Sequence, residues 1–310
     1  MYTITSNKAT GFLWKTREGK VVLFLLLALL LLEIGARSFE ERLSADLAHF
    51  SELPQAADRL REGSRDGSVL VIGNSLAREG IDTERMREAF GNVEFFHPDG
   101  SSVVEWSWGL RRYFLSQGSI PDRILVITAR SHLVDHVVAP EKLGAYLVGD
   151  ENIGSALESL DNHEATARFL LGRVSHLFAN RSRVRPLIGY RFLPGFEEAW
   201  PLLASAGMEA QLAIEGEEAL VSRSLVALPR LVAFAKKSGS ELIVVKIPMV
   251  ADYDLPDDVV EILESNEIRL IDLSDLDGIS ESSFRDGYHL NREGASITTK
   301  ALLDALVNTP

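Results

Sequence analysis

The run Val69-Leu70-Val71-Ile72 into Gly73-Asn74-Ser75 constrains the fold more than any other stretch of the chain. A short apolar run rich in β-branched residues and closed by turn formers reads as a strand buried on both faces. Gly73 and Asn74 tolerate the backbone angles of a sharp turn. Ser75 therefore stands just past the carboxyl end of a central strand. In open α/β sheets that is where ligands bind.

Four later segments repeat the strand signature: Val93–Phe96, Arg123–Thr128, Glu241–Pro248 and Ile268–Leu273. Helical spacing separates them. Asp82 is placed to cap a helix carrying Met86 and Phe90, which Gly91 ends. Val103–Leu115, Ser224–Lys237 and Arg292–Val307 read as further helices. Strands alternating with helices predict a parallel sheet with helices on both faces. The interval 134–217 has no clear strand. Its helical pieces, Gly154–Leu160 and Glu164–Phe178, are joined by a basic loop, Arg181-Ser182-Arg183-Val184-Arg185. The aromatic-rich run Tyr190–Phe196 follows. An insertion of this size at the carboxyl edge of a sheet reads as a lid, a docking surface or a plain helical embellishment.

Val21–Leu32 is unbroken apolar sequence, with Lys15, Arg17 and Lys20 before it and Glu33, Glu40 and Glu41 after it. One reading is an uncleaved signal anchor over 21–36 with a short cytoplasmic N-terminus, 1–20. Phe12 and Trp14 then sit in the headgroup belt, and Glu33 snorkels to the interface. The other reading is a cleaved signal peptide, with Ile34-Gly35-Ala36 at the cleavage site. Both put the residues beyond about 40 outside the cytoplasmic (inner) membrane, in an extracytoplasmic or periplasmic domain; the anchor reading makes the chain single-pass with its N-terminus in. Phe39, Leu43, Leu47, Phe50 and Leu53 mark a membrane-proximal helix and stalk over 37–67, with Pro54 breaking the helix.

The net charge of −13 and the lack of a basic stripe interleaved with aromatics exclude a nucleic-acid partner. The chain has no cysteine, so it carries no disulfide scaffold, no Cys-ligated metal site and no lipobox-type anchor. His132 and His136 are four apart with Asp135 between them, but no third ligand is evident and no metal is expected. His97 and Asp99 lie after the second strand, within reach of the same edge.

Asp286 and His289 are three apart, between the fifth strand and the last helix. That spacing lets a carboxylate turn back onto one imidazole nitrogen and leave the other pointing across the sheet edge. Hydroxyl, imidazole and carboxylate are the parts of nucleophilic acyl transfer.

Gly73-Asn74-Ser75-Leu76 on the first strand, with Asp286-x-x-His289-Leu-Asn-x-x-Gly-Ala before the final helix, resembles the SGNH (GDSL-like) hydrolase superfamily over roughly Ser68 to Val307. The resemblance implies a three-layer α/β/α domain, 68–310, with a five-stranded parallel sheet in the SGNH/flavodoxin-like manner. It implies Ser75 as nucleophile, His289 as base and Asp286 as its orienter, with no cofactor. The oxyanion donors it implies are the Ser75 N–H and, on the second-strand loop, Gly100. The usual asparagine after the third strand is missing from Thr128-Ala129-Arg130-Ser131-His132, which leaves Arg130 or Ser131 to replace it. The expected function is that of a membrane-tethered serine esterase or O-acyltransferase. Its expected substrate is an acyl (acetyl) ester of a cell-surface polysaccharide or envelope polymer, handled beside a membrane-bound O-acyltransferase. The alternatives are a non-catalytic binding or assembly factor of an envelope-polymer system, and a lipid esterase with the aromatic run near Phe192 as acyl groove.

Overall fold

The computed structural model describes residues 16–160, 162–199 and 224–307. Phe12, Trp14, Lys15 and the 200–217 part of the insertion lie outside them. Five strands, β1 (Val69–Ile72), β2 (Val93–Phe96), β3 (Arg123–Thr128), β4 (Glu241–Lys246) and β5 (Arg269–Asp272), form one sheet in the order β2-β1-β3-β4-β5. Every pairing is parallel, with Val69 beside both Val93 and Arg123. The order reverses at β1, which opens a crevice between β1 and β3 at their carboxyl ends.

Alternate strand residues feed two cores. Leu70, Ile72, Ile124, Val126 and Val244 face one layer of helices. Val69, Val71, Leu125, Ile127 and Val245 face the other. The first layer holds α2 (Ala45–Glu62), α5 (Val103–Gly109), α11 (Ala227–Ser238) and α12 (Asp257–Ser265), together with the insertion. The second holds α3 (Ser75–Gly80), α4 (Thr83–Phe90) and α13 (Arg292–Val307). The result is a three-layer α/β/α domain. The helix read over Val103–Leu115 is α-helical only to Gly109, then passes into a π turn, Leu110–Phe114.

The first helix, α1 (Arg17–Leu43), is long and apolar enough to cross a membrane. The stalk expected after it is instead part of the domain. Helix α2 runs unbroken through Pro54 and buries Leu47, Phe50, Leu53, Ala57 and Leu60, which share one face at three- and four-residue spacing. Pro54 lies on the exposed face, where solvent can satisfy the carbonyl its missing N–H frees. Glu33 also differs from the sequence reading. It does not snorkel; it accepts the N–H groups of His176 and Leu177 and the Ser175 hydroxyl.

The insertion is helical: α6 (Pro140–Lys142) leading into a π turn, then α7 (Ile153–Glu158), α8 (His163–Val174), α9 (His176–Ala179) and α10 (Arg181–Phe192). The basic stretch 181–185 is thus the start of α10 and not a loop. Arginine is a good helix former, and two of the charges are held by protein partners, Arg181 by Glu141 and Arg183 by Asp99.

Candidate active site

Gly73 carries the chain from β1 into α3. A Cβ there would stand 2.5 Å from the Ala77 Cβ and 3.0 Å from the Ile127 carbonyl oxygen, so only glycine lets the turn close. Asn74 is buried and works in two directions. Its Oδ1 accepts the Leu76 N–H at 2.9 Å, capping α3, and its Nδ2 donates to the Ser101 carbonyl at 3.1 Å. The turn that presents Ser75 is thereby tied to the loop after β2.

The loop before α13 is built around Asp286. Phe284 and Leu290 form an antiparallel bridge, and the Arg285 N–H donates to the His289 carbonyl at 2.8 Å. Gly287 takes the left-handed conformation the turn needs, at φ +75°. Asp286 Oδ1 accepts the N–H groups of Tyr288 and His289, at 3.2 and 2.8 Å. Asp286 Oδ2 lies 2.9 Å from His289 Nδ1. On the far side of the ring, His289 Nε2 lies 2.9 Å from Ser75 Oγ, although the two residues are 214 positions apart. Asn291 then caps α13, accepting the N–H groups of Glu293 and Gly294.

Partial burial alone would push the Asp286 carboxyl up. The hydrogen bonds from the His289 backbone and ring, the charge of that ring and the Tyr288 N–H outweigh it and hold Asp286 down at about 2. An ionised Asp286 accepts the proton on Nδ1. That tautomer leaves the Nε2 lone pair facing the serine hydroxyl.

Gly100 sits on the loop after β2, at φ +57°. That loop is gripped from several sides. The Asp99 N–H donates to Asp46 Oδ1 at 2.7 Å, and the His97 N–H donates to His49 Nε2 at 3.2 Å, both acceptors lying on α2. The Ser101 hydroxyl donates to the Pro98 carbonyl and accepts the Trp106 ring N–H. Among the described residues, the N–H groups of Ser75 and Gly100 have no acceptor. Arg130 follows β3, the other neighbour of β1. It adopts a positive φ, +42°, and its Nε is buried without a hydrogen-bond partner among the described residues. Ser131 is buried behind it.

The structure thus brings Ser75, His289 and Asp286 into one hydrogen-bonded line and puts Gly100 and Arg130 on the two loops that flank Ser75. His132 and His136 share no helix face, because 131–139 is irregular. His132 is buried against Trp106, and burial lowers its pKa to about 4. Asp135 caps α11 through the N–H groups of Val226 and Ala227. No group of three metal-binding side chains occurs among the described residues.

Sequence reasoning missed the charged chain around the site. Arg285 bridges Asp286 to Glu79, Glu79 pairs with Arg78, and Arg78 pairs with Asp99. Asp99 also meets Arg183 from the insertion, and Asp46 meets Lys142. The chain links α3, both site loops, α2 and the insertion. Asp286 and Asp99 stood in or beside the motifs, but nothing in the sequence pairs them through Arg285, Glu79 and Arg78.

No family model matches the sequence, and no curated protein matches it. Among solved structures the chain is similar to a GDSL-like lipase from Bacteroides thetaiotaomicron, at 9% identity and a TM-score of 0.39, over 83% of this chain and 98% of that one. It is also similar to an acetylxylan esterase from Geobacillus stearothermophilus, at 11% identity and a TM-score of 0.38, over 78% of this chain and 94% of that one.

Proposed function

We propose that this chain is a serine hydrolase or acyltransferase acting on ester bonds, with Ser75 as nucleophile, His289 as general base and Asp286 as the group that orients the imidazole. The line of contacts from Asp286 Oδ2 through both ring nitrogens to Ser75 Oγ carries this reading. Ser75 Oγ attacks the acyl carbonyl as His289 Nε2 takes its proton. The bond to the leaving alcohol breaks, and His289 returns the proton to that alcohol. Water or a sugar hydroxyl, deprotonated in turn by His289, then attacks the acyl-serine and releases it.

The transient oxyanion is held by the N–H groups of Ser75 and Gly100. Arg130 stands in for the asparagine that the resembled superfamily carries after its third strand. In support, both N–H groups lack acceptors among the described residues, and the buried Arg130 Nε lacks a partner.

The substrate reading follows from placement. Helix α1 serves as a membrane anchor with the domain on the extracytoplasmic side, as the basic residues before the apolar run favour. A tethered acidic domain suits acyl, notably acetyl, esters of a cell-surface polysaccharide or envelope polymer. A membrane-bound O-acyltransferase is the natural donor-side partner.

A fluorophosphonate probe tests the catalytic reading. Labelling of the wild type and its loss in Ser75→Ala is expected. A folded wild-type protein that is not labelled, or a Ser75→Ala variant labelled equally, overturns it and favours a binding or assembly factor. Rates on p-nitrophenyl esters of rising chain length separate acetyl chemistry from a lipid esterase.

A further inference from the structure

Beyond the apolar N-terminal helix, exposed large apolar side chains among the described residues recur on two helices of the insertion. Leu170, Leu171 and Val174 on α8 are exposed, as are Leu187, Ile188 and Phe192 on α10. Val174 is 75% and Phe192 73% accessible. Monomeric soluble domains rarely gather so many exposed apolar residues without a partner surface.

Three observations say what that partner is. First, the insertion is fastened to α1 where the apolar run of α1 ends. Arg37 Nη2 donates to the Val174 carbonyl at 3.1 Å, Glu33 caps α9, and Glu40 meets the His176 ring at 2.7 Å. The exposed end of α8 is therefore level with the last turns of the membrane-crossing segment. Second, Val21–Leu32 supplies only about 18 Å of helix against a hydrocarbon layer of about 30 Å. A bilayer around this helix reaches down to the Glu33 level or thins there. Third, α10 carries Arg181, Arg183, Arg185 and Arg191 and no acidic residue, in a chain of net charge −13. Arg185 and Arg191 are exposed and flank Leu187 and Ile188, and Phe192 follows Arg191. Exposed arginines beside exposed apolar and aromatic side chains attract an anionic lipid surface.

We infer that α8 and α10 form a second membrane contact. Leu171, Val174, Leu187, Ile188 and Phe192 enter the interface of the bilayer that α1 crosses, and Arg185 and Arg191 meet anionic headgroups. The contact rests on the reading of α1 as a membrane anchor and is independent of the chemistry assigned to Ser75. Because Arg183 of the same helix pairs with Asp99, it also fixes how the site stands above the membrane.

The absence of cysteine makes single-cysteine labelling of the full chain direct. Leu171→Cys, Ile188→Cys and, as a remote control on α12, Glu261→Cys are each labelled with an NBD fluorophore. The proteins are reconstituted into phosphatidylcholine vesicles with and without phosphatidylglycerol. Expected are a blue shift, quenching by doxyl-labelled lipid and protection from iodide at positions 171 and 188, with none of these at 261. In phosphatidylglycerol vesicles, adding Arg185→Gln and Arg191→Gln lowers the docked-to-undocked ratio by about five-fold per arginine. If the protein floats with the vesicles while labels at 171 and 188 stay as open to iodide as the one at 261, the second contact is overturned and the patch is left for a protein partner. If the protein does not float at all, the anchor reading fails with it.

Discussion

Asp46 Oδ1 accepts the Asp99 N–H at 2.7 Å, so a helix outside the segments that carry Ser75 and His289 fixes the loop that carries Gly100. The Asp46 side chain is fully buried, and its other oxygen meets Lys142 from the insertion. One carboxylate therefore joins three parts of the chain: α2, the loop after β2 and α6. On the proposed reading, the Gly100 N–H must be held within a fraction of an ångström of the oxyanion, and the Asp46–Asp99 contact restrains the loop next to it.

Asp46→Ala is expected to cost about 3 kcal/mol of stability, because it strands the largely buried Lys142 amine and the Asp99 N–H together. Asp46→Asn keeps an acceptor for the Asp99 N–H and costs less. If Gly100 serves the oxyanion as proposed, the folded Asn variant is expected to lower kcat for an acetyl ester while KM stays close to wild type. Denaturant unfolding and steady-state kinetics check the two halves separately. An unchanged kcat would detach α2 from the site.

Ser75→Ala and His289→Ala are each expected to lower kcat by about 10³–10⁴-fold or more, and the double variant by little beyond either single one, because the residues act as a unit. Asp286→Asn removes the charge but keeps the turn. It lowers kcat by less than the loss of the nucleophile does, since a half-exposed carboxylate is partly replaced by water. With Asp286 held at about 2 against an ordinary 3.8, its hydrogen bonds add stability above pH 3.8 that is lost only as pH falls through about 2. A thermal melt series of wild type and Asp286→Asn should converge below that point.

Three histidines give the domain a second acid sensitivity. His49 stacks on His97 at 4.2 Å, and burial, the neighbouring His97 and Arg78 lower His49 from 6.5 to about 3. Burial lowers His97 as well, and takes His132 to about 4. The folded-state values lie below the unfolded one, so the unfolded chain binds protons first. The stability these rings contribute is complete above pH 6.5 and drains as pH falls toward 4 and then 3. His49→Gln keeps an acceptor for the His97 N–H and removes one titrating ring. Its melting temperature should fall less steeply than that of wild type between pH 6.5 and 4.

The sheet was legible in the sequence because β1, β3 and β4 are short apolar runs buried on both faces, with helical spacing between them; β5, Arg-Leu-Ile-Asp, is buried only in part. The Ser75 turn and the Asp286–His289 turn were legible because local hydrogen bonding sets both spacings. A proline after Leu53 points to a stalk, yet α2 continues through Pro54 because Leu47, Phe50 and Leu53 extend through Ala57 and Leu60 as one buried stripe. The exposed face of the helix tolerates the proline, and the core uses the stripe. The charged chain from Asp286 to Asp99 was illegible for another reason. Its members pair across up to 206 positions, and surface-type residues carry no periodic signal of such partners.

Arg130 combines two unusual properties, a positive φ and a buried Nε with no partner among the described residues. A left-handed backbone on a non-glycine residue costs on the order of 1 kcal/mol, and an unpartnered buried donor costs about 1–3 kcal/mol. A chain that keeps both gains something elsewhere, and a negative charge that forms only during the reaction would satisfy the donor. Arg130→Gly should relieve the backbone and leave the melting temperature equal or higher. At the same time kcat for an ester should fall by about 10²–10³-fold, the usual loss for one oxyanion donor. Arg130→Lys keeps the charge without the planar donor set and should fall between the two. Opposite movements of stability and kcat in Arg130→Gly separate a group used in the transition state from one that merely packs. If both drop together, Arg130 is structural and the oxyanion is held by the backbone N–H groups of Ser75 and Gly100.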